Sequence, residues 1–234
     1  MGLVFLEGPI GAGKSTYAEE VGRRLNYRVM KEPVDDNPYL DLFYKDHKTY
    51  ALDMQLYLLH RRIGMQQLAA AESLYSDRWD GAIVDRSVFG DRPFAELHYQ
   101  YGNIDDLGMH NYDIAYESMR LMIFPPTVLV YLDVTPETAM KRIRERARGA
   151  EVSITLKYLE DLSKIYRRLI KRARDGNYPW SHCLRILEVT WDPITRTSEE
   201  WDAVARNLKQ VITEHTEDGW PSSKFVVGTR RTSL

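Results

Sequence analysis

The chain has almost no cysteine. Cys183 stands alone among 234 residues, which excludes an internal disulfide framework and a thiolate metal centre and points to a reducing, cytoplasmic setting. Positive charge is not in excess either. The formal net charge is −2, so nothing electrostatic invites nucleic acid. No apolar run approaches the roughly 18 residues that cross a bilayer, and "MGLVFLEG" is too short for a secretory leader and lacks a basic stretch. Neither a membrane nor a nucleic-acid partner is expected. His47, His60, His98, His110, His182 and His215 are scattered without any pair at ligand spacing, which argues against a histidine metal site. Repeats and low-complexity linkers are also missing. A hydrophobic share of 44% and a charged share of 28% suit one sizeable globular domain, taken as residues 1–216. Residues 217–234, rich in Gly, Ser, Thr and Pro, read as a weakly ordered tail.

What is present is alternation. Apolar runs at Leu3–Glu7, Tyr27–Lys31, Ala82–Asp85, Thr127–Asp133 and Leu184–Val189 read as strands. Helical patterns separate them, at Lys14–Leu25, Thr49–Tyr75, Arg92–Tyr101, Met109–Ile123, Pro136–Arg148, Ile154–Ala173 and Ser198–His215. The order predicts an α/β fold with a parallel five-stranded sheet flanked by helices.

Between the first strand and the first helix lies "GPIGAGKST", residues 8–16. Gly8, four residues, then Gly13-Lys14-Ser15 is the P-loop pattern. Gly8, Gly11, Ala12 and Gly13 let backbone N–H groups turn inward around phosphate oxygens, and the helix behind them adds its positive end. Lys14 then meets the β/γ-phosphates, the Ser15 hydroxyl ligates Mg²⁺, and Thr16 completes the turn. The alternative, a plain glycine turn, does not account for the strand before and the helix after. No guanine-reading "NKxD" occurs, and the chain is short for a motor, so a small-molecule kinase using ATP fits best.

The acceptor side rests on strand ends. Glu32 closes the second strand, read as a neighbour of the P-loop strand, over the crevice where ligands bind in such sheets. It can orient an attacking hydroxyl and take its proton, though a surface-loop glutamate is an equal reading. The third strand ends in Asp85-Arg86, a carboxylate for Mg²⁺ and a guanidinium that can pair with Glu32. Asp133, at the end of the fourth strand, competes for the metal. Gln55 and Arg62 lie seven residues apart on one helical face; spacing alone favours a solvated face there. "KRIRERARGAE", residues 141–151, is either a solvated basic helix or an arginine-rich lid over ATP phosphates. The P-loop favours the lid.

In their joint order, over residues 3 to 190, these motifs resemble the deoxynucleoside kinase family. "EPVDDNPYLDLFYKD" followed by "MQLYLLHRR" looks most like its bacterial deoxyadenosine/deoxyguanosine kinase branch. The resemblance implies that Glu32 is the general base on the deoxyribose 5′-OH, that Arg86 holds that hydroxyl and Glu32, and that Asp85 serves Mg²⁺. It further implies that Tyr44 and Glu151 bond the 3′-OH and that Gln55 bonds the base edge. Arg142, Arg146 and Arg148 become the lid arginines, and Arg62 with Asp91 favours a base bearing an exocyclic amino group. "DNPYL" tips the choice to deoxyadenosine, with deoxyguanosine or deoxycytidine as alternatives. A homodimer through Thr49–Tyr75 and Met109–Ile123 is implied too.

In two places the sequence departs from animal relatives: Asp85 replaces Glu, and Met54 replaces an aromatic. A nucleoside monophosphate kinase is the nearest rival, but "EPVDDNP" is acidic where an acceptor phosphate would sit. A non-catalytic scaffold would be expected to have lost Lys14, Glu32 or Arg86.

Overall fold

The computed structural model describes residues 2–32, 37–146, 153–178, 181, 184–192 and 196–217. Five strands form one sheet: β1 (Gly2–Glu7), β2 (Tyr27–Met30), β3 (Gly81–Asp85), β4 (Val128–Asp133) and β5 (Arg185–Thr190). Their order across it is β2-β3-β1-β4-β5 and every pairing is parallel; β2 therefore lies beside β3 and is not the neighbour of the P-loop strand that the sequence suggests, because β3 inserts between them. Parallel strands need crossover connections, and helices supply them. β1 sits at the centre with all six residues buried, as a strand covered on both faces must be.

The strand period of two divides the core. Val4, Leu6, Val128, Val130 and Leu132 face one side. There they meet Tyr17, Ala18 and Val21 of α1 (Lys14–Leu25), Met140 of α6 (Pro136–Arg146), and Leu208 and Ile212 of α8 (Ser198–Glu217). Leu3, Phe5, Leu129 and Tyr131 face the other side. They pack on Ala69 of α3 (His47–Tyr75), Leu97 of α4 (Arg92–Gln100), and Leu162 and Tyr166 of α7 (Leu156–Arg174). A third cluster joins α2 (Leu40–Lys45), α3, α4 and α5 (Asp106–Arg120) around Phe43, Leu59, Ala95 and Tyr112. Phe43, Met54 and Leu58 of this cluster line the cavity described below.

Several ends differ from the sequence reading, each for a local reason. α3 begins at His47 because Asp46 caps it, its carboxylate accepting from Thr49 N–H at 3.1 Å. α5 begins at Asp106 because Asp105 caps it, accepting from Gly108 N–H at 2.7 Å. Both are ordinary N-cap choices that apolar periodicity does not register. β2 stops at Met30, one residue early, so Glu32 stands clear of the strand. α2 was not anticipated; six residues are too few to show a helical period. Residues 218–234, most of the tail, lie outside the described residues. Among the described residues no helix is long and apolar enough to cross a membrane.

Candidate active site

The loop after β1 and the ends of β2 and β3 open into one cavity of about 580 Å³, within the usual range for small-molecule sites. It runs from Trp201 and Trp191, past the P-loop, to Phe43 and His98. The P-loop wall follows from its backbone. At Gly11, φ is +77° and a Cβ would stand 2.4 Å from the Ala139 carbonyl oxygen, so a side chain is excluded twice over. Gly8 and Ala12 are buried beneath the turn, and Gly13, Ser15 and Thr16 line the cavity.

Lys14 is nearly buried and donates to the carbonyls of Gly8 at 3.2 Å and Pro9 at 3.0 Å. Burial and the neighbouring Arg86 guanidinium bring its ammonium down to about 8, against the pull of Asp85, Glu32 and Glu7. The Ser15 hydroxyl donates to Asp85 Oδ2 at 2.6 Å. Asp85 Oδ1 is buried with no hydrogen-bond partner among the described residues. A hydroxyl beside a carboxylate with an unused oxygen fits Mg²⁺, which takes one or two protein oxygens and the rest from phosphates and water. Asp133, the competitor, is turned away: its carboxylate accepts from Arg167 of α7 at 3.2 Å.

Glu32 faces the P-loop. Arg86 Nε lies 2.8 Å from its Oε1 and Arg62 Nη2 donates to the same oxygen at 2.5 Å. Glu32 also lines the cavity. Burial opposes ionisation, but Arg86, Arg62 and Lys14 outweigh it and hold the carboxyl down at about 2. The surface-loop reading of Glu32 is thereby replaced by an ion-paired carboxylate, 18% exposed. The same pair corrects the solvated-face reading of α3. Arg62 is 2% exposed and Gln55 3%. Arg62 bridges Glu32 to Asp91, and Asp91 in turn accepts from the Tyr112 hydroxyl at 2.5 Å. Gln55 keeps a buried Oε1 with no partner among the described residues and lines the cavity. An unmet acceptor there suits a ligand donor.

Tyr44 lines the acceptor end, and Arg146 the donor end. Arg142 sits at the P-loop rim, donating to the carbonyls of Ala12 at 2.9 Å and Trp191 at 2.6 Å. Its guanidinium therefore braces the loop as well as facing the donor end. Arg148 and Glu151 lie outside the described residues.

One site residue went unnoticed in the sequence: Glu7, the acid that ends an otherwise apolar β1. It is fully buried, and its Oε1 accepts from Ser87 N–H at 2.8 Å, Ser87 Oγ–H at 2.5 Å and Gly90 N–H at 3.1 Å. Gly90 must be glycine, because a Cβ would lie 1.8 Å from Glu7 Oε2. This clamp shapes the turn on which Arg86 takes a left-handed φ of +67°, costly for a non-glycine residue. The Arg86 guanidinium is then fixed by donating to Tyr166 Oη at 2.6 Å and to Gly8 O at 3.3 Å, over the Phe94 ring. Burial raises the Glu7 carboxyl above its usual range, while Arg86 and the Ser87 donors pull it back.

Two outcomes are expected. Glu7→Ala leaves the Ser87 and Gly90 donors buried and unmet, at about 1–3 kcal/mol each. It lowers the thermal midpoint and displaces Arg86, while binding of a non-hydrolysable ATP analogue, read by calorimetry, changes little. Burial brings the Lys14 ammonium to about 8, and a triphosphate on the loop would hold it charged, so affinity for added ATP is expected to fall above pH 8, by up to about tenfold per pH unit. Lys14→Arg, charged throughout, gives a flatter profile in the same titration, and an equally steep one rules Lys14 out as the source.

A sequence profile of the deoxynucleoside kinases matches residues 4–215. A deoxyguanosine kinase of Dictyostelium discoideum is 39% identical over 168 residues, 72% of this chain and 58% of that protein's length. The chain thus spans less than two thirds of that relative. A deoxyadenosine kinase of the same organism is 34% identical over 188 residues, 80% of this chain and 71% of the relative. Among solved structures, deoxyadenosine kinase from M. mycoides with bound dATP superposes with a TM-score of 0.72 at 29% identity, covering 89% of this chain and all of that one. The P-loop, the arginine-held carboxylate and these likenesses agree: the chain belongs to the deoxynucleoside kinase family.

Proposed function

We propose that the protein transfers the γ-phosphoryl group of ATP to the 5′-hydroxyl of a deoxynucleoside, with deoxyadenosine favoured. The observation that carries this reading is the Glu32 carboxylate, held at Oε1 by Arg86 and Arg62 and lining the same cavity as Lys14. Phosphoryl transfer through a loose transition state asks mainly for positioning and charge stabilisation. Glu32 orients the 5′-hydroxyl and accepts its proton as the bond to phosphorus forms. Lys14 and Arg86 balance charge on the transferring oxygens, and Arg146, with Arg142, Arg148 and the rest of the lid, covers the donor phosphates. Ser15 and Asp85 would hold Mg²⁺, which neutralises charge between the β- and γ-phosphates. The adjoining Glu32 makes a phosphorylated acceptor unfavourable, because two anions in a shielded site repel.

The base reading rests on Gln55, whose amide presents donor and acceptor side by side, the pattern that matches an adenine edge. The relatives are named for deoxyguanosine as well as deoxyadenosine, so deoxyguanosine is the second candidate. Asn37, in the "DNPYL" stretch, supports the pocket by donating to Met54 Sδ at 3.0 Å. That fixes the thioether where animal relatives place an aromatic.

The test is ATP turnover over a panel of nucleosides and nucleoside monophosphates. A 2′-deoxynucleoside is expected to be the best acceptor, and Glu32→Gln to lower kcat by about 10²–10⁴-fold with nucleoside affinity largely kept. Preference for a monophosphate, or a Glu32→Gln variant at full rate, overturns the reading.

The protein is further proposed to act as a homodimer. Exposed apolar side chains stand on α3 (Leu68, Tyr75), on α5 (Leu107, Ile114) and on the turn after it (Leu121, Met122). Exposed apolar surface on the helices that the resemblance places at the dimer contact supports this reading, since a self-complementary patch pairs two copies. Light scattering is expected to give twice the chain mass for the wild type and a monomer for Leu68→Glu with Met122→Glu.

A further inference from the structure

His98 has no part in the roles above, yet it lines the acceptor end of the same cavity while only 1% exposed. Its ring is held in place on all sides. Phe43 meets it edge-on at 5.0 Å, and Tyr158 and His47 lie at 6.1 Å and 6.2 Å. The Asn103 side-chain amide nitrogen is 3.1 Å from Nδ1. That nitrogen has only hydrogens to offer, so Nδ1 accepts and the ring proton sits on Nε2. Burial, helped by His47, lowers the ring to about 4, so it is neutral near pH 7. Nε2–H is then a buried donor with no partner among the described residues. Folded proteins rarely leave such a donor unmet, since it costs about 1–3 kcal/mol.

The position of His98 narrows what the missing acceptor is. α4 follows directly on Asp91, and Phe94 and His98, one turn apart, both line the cavity. On the reading above, on which this inference rests, Glu32 and Arg86 face the 5′-hydroxyl and Gln55 and Arg62 face the base. His98 packs against Phe43, whose ring adjoins Tyr44, the residue that the resemblance sets on the 3′-hydroxyl. We propose that His98 is a substrate-binding residue whose Nε2–H donates to the 3′-oxygen of the sugar, making α4 a second reader of the sugar beside Tyr44.

The test compares kcat/KM for the 2′-deoxynucleoside that the wild type turns over fastest with that for its 2′,3′-dideoxy counterpart. His98→Phe keeps the ring and loses the donor. It is expected to lower the deoxynucleoside value about tenfold, mainly through KM, and to leave the dideoxy value nearly unchanged. His98→Gln, which restores a donor, recovers part of the discrimination. An equal loss on both nucleosides means that His98 only packs, and overturns the proposal. A second measurement needs no variant. In histidine-¹⁵N-labelled wild type, the His98 Nε2–H resonance is expected to shift with the deoxynucleoside and far less with the dideoxynucleoside; equal shifts overturn the proposal. If the wild type phosphorylates no nucleoside, the kinase reading itself fails. Turnover with discrimination indifferent to His98 sinks this inference alone.

Discussion

The site is built around one carboxylate oxygen. Glu32 Oε1 takes both Arg86 and Arg62, and each arginine ties that carboxylate to a further part of the fold. Arg86 reaches back through Tyr166 and Gly8, and Arg62 reaches on to Asp91 and Tyr112. Moving such charges out of water costs several kcal/mol per ion even after relaxation, and their attraction rarely repays it fully. A hydrophobic cluster of the same volume would fold as well. The arrangement therefore makes sense as preorganisation: the charges are fixed before the ligand arrives, so the reaction need not reorganise them.

On the proposed reading, with Glu32 as the base and ATP as the donor, this preorganisation answers a difficulty. A carboxyl near 2 is a feeble base, and proton transfer is most efficient when the base titrates near the working pH. The value belongs to the free protein, where Lys14, Arg86 and Arg62 all act on Glu32. A triphosphate on the P-loop brings several negative charges beside Lys14 and Arg86 and draws on the same cations. The acceptor also displaces the water that reaches the 18% of Glu32 still exposed. Both changes raise the carboxyl. In a loose transition state the hydroxyl proton leaves late, so a carboxylate that is firmly ionised at the start, and more basic once the donor is in place, suits the step.

The parallel five-stranded sheet and the phosphate loop were legible because each depends on short-range pattern: apolar strands, glycines, and a lysine at fixed spacing; the order of the strands was not, because it is decided by pairings far apart in the chain. Glu32, Asp85 and Arg86 were legible for a related reason, since strand ends in such sheets point at the crevice. Burial on α3 was not. Gln55 and Arg62 are polar residues seven apart, and nothing local distinguishes a solvated face from one covered by α2, α4 and α5. Glu7 escaped for the opposite reason. It stood in the open, an acid closing a buried strand, but its partners Ser87 and Gly90 are 80 and 83 residues away. His98 likewise needs Phe43, Asn103 and Tyr158 around it before its tautomer means anything. Local spacing finds groups that act on a ligand; groups that act on one another across the fold need the fold.

Arg62 draws these strands together. One guanidinium touches the carboxylate assigned to the reacting hydroxyl and the aspartate assigned to the base. On the proposed reading, a base that disturbs Asp91 also loosens Glu32, so a poor base match slows the chemical step as well as weakening binding. Discrimination exercised in the transition state is the only kind that raises kcat for the right substrate. A separate base pocket and a separate catalytic acid would have allowed tight, unproductive binding of the wrong nucleoside. Sharing one buried arginine between them ties recognition to reactivity, and that coupling is what the cost of burying its charge secures.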